Sequence, residues 1–226
     1  MKPCSSIPPL ICLVVLTFST HCAAAGDELL TSFVERQTAV KTWSADVIQT
    51  RTLKSFTQPL VSTGRVWFAA PNLFRWELGQ PAQTIALRQS TEMMVIYPRL
   101  KRAERYPLNG TAAGPWKDTL SLLEAGFPSS RADLDAKFRI LSTTTNNQVC
   151  TTILEPKAAG SRKFMPQLQL MFSTTDFSLL GTELQFADHS NLRNDFIRPK
   201  LNPDVSPGLF QADLGSDIKV TEPMKR

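Results

Sequence analysis

Residues 64–76 read G-R-V-W-F-A-A-P-N-L-F-R-W. An alternating run meets Pro71-Asn72 and resumes as a second alternating run, the pattern of two short strands joined by a turn. Period two puts Val66, Phe68 and Ala70 on one face of the first strand. On the second strand Phe74 and Trp76 share a face, with Arg75 and Glu77 opposite. The same rhythm extends outward. Strands are expected at 45–53, 63–69, 73–78, 84–89, 92–97 and 101–106, separated by Gly, Pro, Asn or Ser. Met94 and Ile96 are assigned to the apolar side of their strand, although Met93, Val95 and Tyr97 leave its parity ambiguous. Short strands at this spacing argue for a mainly antiparallel β meander.

The series breaks at Gly110. Residues 115–126, P-W-K-D-T-L-S-L-L-E-A-G, carry Pro at a helix start and Gly just past its end. Trp116, Leu120 and Leu123 fall on one helical face. A further helical turn is expected at 130–137. Strands resume at 138–143, 149–156, 168–173 and 179–187, with two more near 194–197 and 218–220. The Pro-rich run at 199–207 reads as a loop. A helix is expected over 27–41, where Leu30, Phe33, Val34 and Val40 lie mostly on one side.

The first residues set the compartment. Lys2, the apolar stretch Leu10–Phe18 and Ala23-Ala24-Ala25 form a secretory signal, with cleavage expected before Gly26. The apolar stretch is far short of the roughly 20 residues a membrane helix needs. The competing assignment lipidates Cys22, but Thr20 and His21 are poor residues before such a cysteine. Residues 1–25 are thus a leader and 26–226 one domain.

The leader removes Cys4, Cys12, Cys22, His21 and Lys2. One cysteine, Cys150, and one histidine, His189, remain, with 24 basic groups against 20 acidic ones, a charge of +4. No intramolecular disulfide can form. The mild charge implies no nucleic-acid partner. A single histidine excludes a histidine-based metal cluster and leaves little room for a Ser/His/Asp triad. No metal site, cofactor motif or catalytic residue is expected. Cys150 alternates with Val149 and reads as a buried, inert thiol; His189 lies in a polar turn; Asp133 and Asp135 read as a solvated helix face. The basic cluster Arg99, Lys101, Arg102 and Arg105 reads as a strand edge protected against mispairing, an anionic contact surface being the competing reading. What the chain does offer is aromatic and aliphatic surface. A packed core and a ligand cavity look identical at this level.

G-R-V-W-F-A-A-P-N-L-F-R-W resembles the LolA family of periplasmic lipoprotein carriers. A-D-V-I-Q-T-R (45–51), Q-P-A-Q-T-I-A-L (80–87), D-T-L-S-L-L-E-A-G (118–126) and the strands from Phe138 to the V-T-E-P at 220–223 extend the resemblance in order and spacing. It implies an unclosed antiparallel half-barrel whose concave apolar face is covered by an N-terminal helix and short lid helices. It implies a non-enzymatic, monomeric carrier, shielding lipoprotein acyl chains on the way from inner to outer membrane. An inner-membrane ABC-type release complex and an outer-membrane acceptor are the implied partners. The alternative is a carrier or sensor of a different lipid or apolar metabolite on the same scaffold. The implied ligand-binding residues are Val66, Phe68, Ala70, Phe74, Trp76, Met94 and Ile96 in the cavity and Leu120 and Leu123 in the lid. In the family an arginine usually precedes the Pro of the aromatic turn and hydrogen-bonds the lid. Ala70 stands there, so a closed empty state is expected to be less favoured in this chain.

Overall fold

The computed structural model describes residues 20–108 and 126–223. The expected lid helix, with Leu120 and Leu123, lies outside the described residues, as does most of the expected leader. A helix, α1 (Thr20–Thr38), leads into twelve strands, β1 (Thr42–Thr52), β2 (Leu60–Ala69), β3 (Leu73–Leu78), β4 (Thr84–Arg88), β5 (Glu92–Tyr97), β6 (Arg102–Pro107), β7 (Phe138–Asn146), β8 (Val149–Pro156), β9 (Gln167–Ser173), β10 (Leu179–Gln185), β11 (Asn191–Leu201) and β12 (Lys219–Thr221). Two short helices interrupt the series, α2 (Arg131–Lys137) before β7 and α3 (Ala159–Phe164) between β8 and β9. All twelve strands form one sheet in the order β12-β6-β5-β4-β3-β2-β1-β11-β10-β9-β8-β7. Every pairing is antiparallel except β12 with β6. The ends of the order, β12 and β7, do not pair, so the barrel is unclosed.

The sheet is strongly curled. Trp76 on β3 and Phe196 on β11 stand three strand positions apart, about 14 Å on a flat sheet at the usual spacing. Their ring centroids are 5.9 Å apart. One local cause is Gly64 of β2, opposite Leu78. A Cβ there would lie 1.8 Å from the Glu77 carbonyl oxygen, so the two backbones approach where only glycine fits.

Helix α1 covers the inner face of the β7–β10 half. Leu30, Phe33, Val34 and Gln37, at i, i+3, i+4 and i+7, are all buried. Phe33 stacks on Phe172 at 4.3 Å. The helix begins upstream of the expected start and ends at Thr38, where Ala39 and Val40 close a tighter turn onto Arg36 and Gln37. Ser130 caps α2 by accepting from the Asp133 amide.

The outer face of β3–β6 is covered too. After β11 the chain crosses it: Pro207–Phe210 turns and buries Phe210. Ala212, Leu214 and Ile218 then pack on Met94, Ile96 and Ala103. Arg75 donates to the Leu209 carbonyl at 3.1 Å and Gln89 to that of Phe210 at 3.0 Å, so side chains from β3 and from just past the end of β4 hold this segment. Within the proline-rich run, 199–201 belong to β11 and only the following residues form a loop.

The basic cluster is not a strand edge, because β12 pairs with β6 outside it. Lys101 pairs with Asp217, Arg102 with Glu104 and Arg105 with Glu92, at 3.0 to 3.3 Å. The α2 carboxylates are also engaged, Asp133 with Lys137 and Asp135 with Arg131. No described helix is long and apolar enough to cross a membrane.

Candidate functional site

The register of β1, β2 and β3 builds the inner wall directly. Val66 faces Trp76 and Phe68 faces Phe74 across one seam; Trp43 faces Phe68 across the other. Four of the expected cavity residues, Val66, Phe68, Phe74 and Trp76, therefore come together. They border a chamber of about 50 Å³, closed from β10 and β11 by Leu179, Leu184 and Phe196. A second chamber of about 180 Å³ adjoins it and shares Phe74, Trp76 and Leu184. Leu78, Thr84, Ala86, Met93 and Leu192 complete its walls, with a polar ladder at one side. In that ladder Gln49 donates to Asn194 at 3.0 Å and Asn194 to Thr182 at 3.1 Å, across three neighbouring strands. Asn194 is buried, and the ladder satisfies amides that would otherwise be costly on an apolar face.

Three expected positions are placed differently. Met94 and Ile96 point to the outer face, into the cluster under the C-terminal segment; Met93 and Val95 point inward with Phe74 and Tyr106. Strand β5 is apolar on both parities because both of its faces are covered, so alternation could not reveal the inward set. Ala70 is exposed and borders neither chamber. Strand β2 ends at Ala69, and the Ala70 amide donates to the Lys41 carbonyl in the turn, so period two does not extend to it. The arginine on the inner wall comes instead from β4: Arg88, opposite Phe74, lines the first chamber beside Asn72.

Sequence reading missed Trp43, Phe196 and Phe127. Phe127 follows the expected lid segment, stacks on Phe68 at 4.2 Å and 7°, and meets Trp43 edge-on at 5.2 Å. No periodicity marked it, because it lies outside any strand or helix. The indole nitrogens of Trp43 and Trp76 are buried with no acceptor among the described residues. A buried donor without a partner costs about 1–3 kcal/mol, so these two N–H groups are polar points on a largely apolar wall.

The site is poor in reactive groups. Burial pushes the Cys150 thiol above its ordinary range, and the side chain is fully enclosed in the main core. His189 sits in the β10–β11 turn. Burial, then the hydrogen bond to Glu104, raises Tyr106 and keeps its phenol protonated. Among the described residues no His, Cys, Asp or Glu cluster could hold a metal ion.

An unclosed antiparallel barrel, with a helix over part of its inner face and apolar chambers in the rest, is the architecture of a binding protein for apolar molecules. The chain belongs to the outer membrane lipoprotein carrier protein LolA family, whose pattern matches residues 38–213. No curated protein sequence matches the chain. Among solved structures it is similar to an uncharacterized conserved protein from Thermus thermophilus, at TM-score 0.50 and 13% identity over 88% of this chain and 99% of that one. It is also similar to a DUF1329 family protein from Desulfovibrio piger, at TM-score 0.45 and 9% identity, covering 85% and 98% of the two chains. A LolA superfamily protein from Nitrosomonas europaea is similar at TM-score 0.42 and 12% identity, covering 80% and 97%.

Proposed function

We propose that this protein is a periplasmic carrier that sequesters lipid acyl chains, with lipoprotein anchors as cargo, and that it performs no catalysis. The observation that carries this reading is the pair of adjoining chambers walled by Phe74, Trp76 and Leu184 on the inner face of an unclosed barrel. Ligand pockets for molecules of this size run from about 300 to 1,000 Å³. At about 50 and 180 Å³ each chamber is smaller than that, so on this reading the inner face widens around cargo. Phe127 is the piece whose withdrawal would widen the first one. Each methylene buried contributes about 0.8 kcal/mol, so one long acyl chain offsets the loss of the Phe127 stacking contacts. The indole N–H groups of Trp43 and Trp76, which have no acceptor among the described residues, suit a cargo with ester or amide carbonyls at the head of its chains.

Within this reading cargo arrives from an inner-membrane ABC-type complex, leaves to an outer-membrane acceptor, and is carried by a monomer. A second reading, transport of a different lipid, draws on position 70. There the family arginine is replaced by an exposed alanine, while Arg88 supplies a cation to the chamber wall. Native mass spectrometry of protein recovered from the periplasm separates the two. Co-purified lipoprotein supports the first, and free lipid supports the second. Protein that takes up no acyl compound, even when loaded in vitro, would refute both.

A further inference from the structure

Successive antiparallel strands place their connections alternately at the two ends of the sheet. One end gathers the β1–β2, β3–β4, β5–β6, β8–β9 and β10–β11 connections. Three of these present an exposed large apolar side chain: Phe56 at 54% exposure, Leu100 at 68% and Phe164 at 51%. Each has an exposed cation within two residues, Lys54, Arg99 and Lys163. None of the three cations has an ion-pair partner among the described residues. Of the carboxylates at this rim, Asp217 pairs with Lys101, Asp133 with Lys137 and Asp135 with Arg131, while Asp188 accepts from Ser190 and keeps its charge. The β1–β2 hairpin is exposed along its length: from Arg51 to Thr63 every residue but Leu53 is exposed. Leu78, Thr84 and Leu192, at the rim ends of β3, β4 and β11, line the second chamber.

We propose that this rim is a docking surface for a lipid bilayer with acidic headgroups. Phe56, Leu100 and Phe164 would enter the interface while Lys54, Arg99 and Lys163 meet phosphates. An apolar side chain beside a cation is the chemistry that holds a peripheral protein at an acidic leaflet. A second copy of the chain is a poor occupant, since a two-fold contact sets the same cations against themselves. The purpose rests on the carrier reading: with the rim on a bilayer, the second chamber lies next to the membrane where cargo is handed over, and the acyl chain has little exposure to water. The binding chemistry does not depend on that reading.

The test is co-sedimentation of the protein with phosphatidylcholine vesicles, with and without phosphatidylglycerol. Binding is expected only with the acidic lipid and is expected to weaken as salt rises. Lys54→Glu, Arg99→Glu and Lys163→Glu should each weaken it at least about fivefold, the size one basic residue contributes near an acidic leaflet. Phe56→Ser with Leu100→Ser should weaken it at least about tenfold, since both side chains are exposed and neither supports the core. Circular dichroism of each variant verifies the fold. Equal binding to both vesicle types, or binding unchanged in the variants, overturns the proposal. So does a concentration-dependent dimer of the unmodified protein that the same substitutions abolish. Acyl-probe binding without vesicles is measured in parallel and should survive in every rim variant. Its loss from the unmodified protein would defeat the carrier reading and leave the rim result standing.

Discussion

At the scale of single residues, the inner wall turns on Trp76, which borders both chambers and reaches across to Phe196. Trp76→Glu places a carboxylate on the apolar wall shared by both chambers, and should lower acyl-probe affinity at least about tenfold while the barrel stays folded. Fluorescence titration with circular dichroism checks both parts; unchanged affinity would place the ligand elsewhere. Position 70 offers a sharper contrast. Because Ala70 is exposed in the turn, Ala70→Arg should leave probe affinity within about twofold, the usual scale of a surface change. Arg88 lines the chamber, so Arg88→Met should discriminate by headgroup. Affinity for a fatty acid should fall at least about tenfold relative to the matching alcohol, as loss of a charge-assisted bond predicts. Competition titrations of both probes against both variants decide it.

At the scale of elements, two contacts set how the barrel is held and how it opens. Phe127 joins β1 and β2 through Trp43 and Phe68. Each aromatic pair contributes about 0.5–1.5 kcal/mol beyond burial, so Phe127→Ala should favour the widened state and raise acyl-probe affinity up to about tenfold, at some cost in melting temperature. Stopped-flow binding and thermal melts read the two effects. On the outer face Asp46 of β1 ties β11 to β2, accepting from Arg198 and, at 3.1 Å, from Arg65. These bonds, Arg198 first, hold its carboxyl below the ordinary 3.8. A depressed carboxylate contributes stability that is present above its unfolded value and lost as pH falls through its folded value. Asp46→Asn should therefore cost up to about 1 kcal/mol at neutral pH, as partly exposed pairs do, and nothing once the solution is well below pH 3.8. Denaturant melts of both proteins across that window test the sign.

At the scale of the whole molecule, we propose from the sequence that the leader is removed before Gly26, which would leave Cys150 as the single thiol. Cys150 is fully buried with its thiol pushed up, so a thiol reagent should fail to label the native protein and add one label after denaturation. Intact-mass analysis reads this and the cleavage point together. A lipid on Cys22 would mean a membrane-anchored protein instead of a shuttle.

Much of this architecture was legible in the residues. Strands β3, β5 and β8 fall where alternation, turn residues and β-branched runs put them. Residues 64–76 form the β2–β3 hairpin, with Val66, Phe68, Phe74 and Trp76 on one wall. Period two is a local property of an extended backbone, so a strand with one covered face records its orientation in its own sequence. The rest depended on what the chain returns to cover. The β5 parity was hidden because the segment from Pro207 to Ile218 buries the face that would otherwise be polar. Ala70 lost its place because the strand ends one residue earlier. Phe196 joins the site only when the curl brings β11 across to β3, Phe127 arrives from a segment outside any strand, and Arg88 needed the β3–β4 register to place it opposite Phe74. That curl is a sum of close approaches and packing contacts between segments far apart in the chain, and no local pattern carries it.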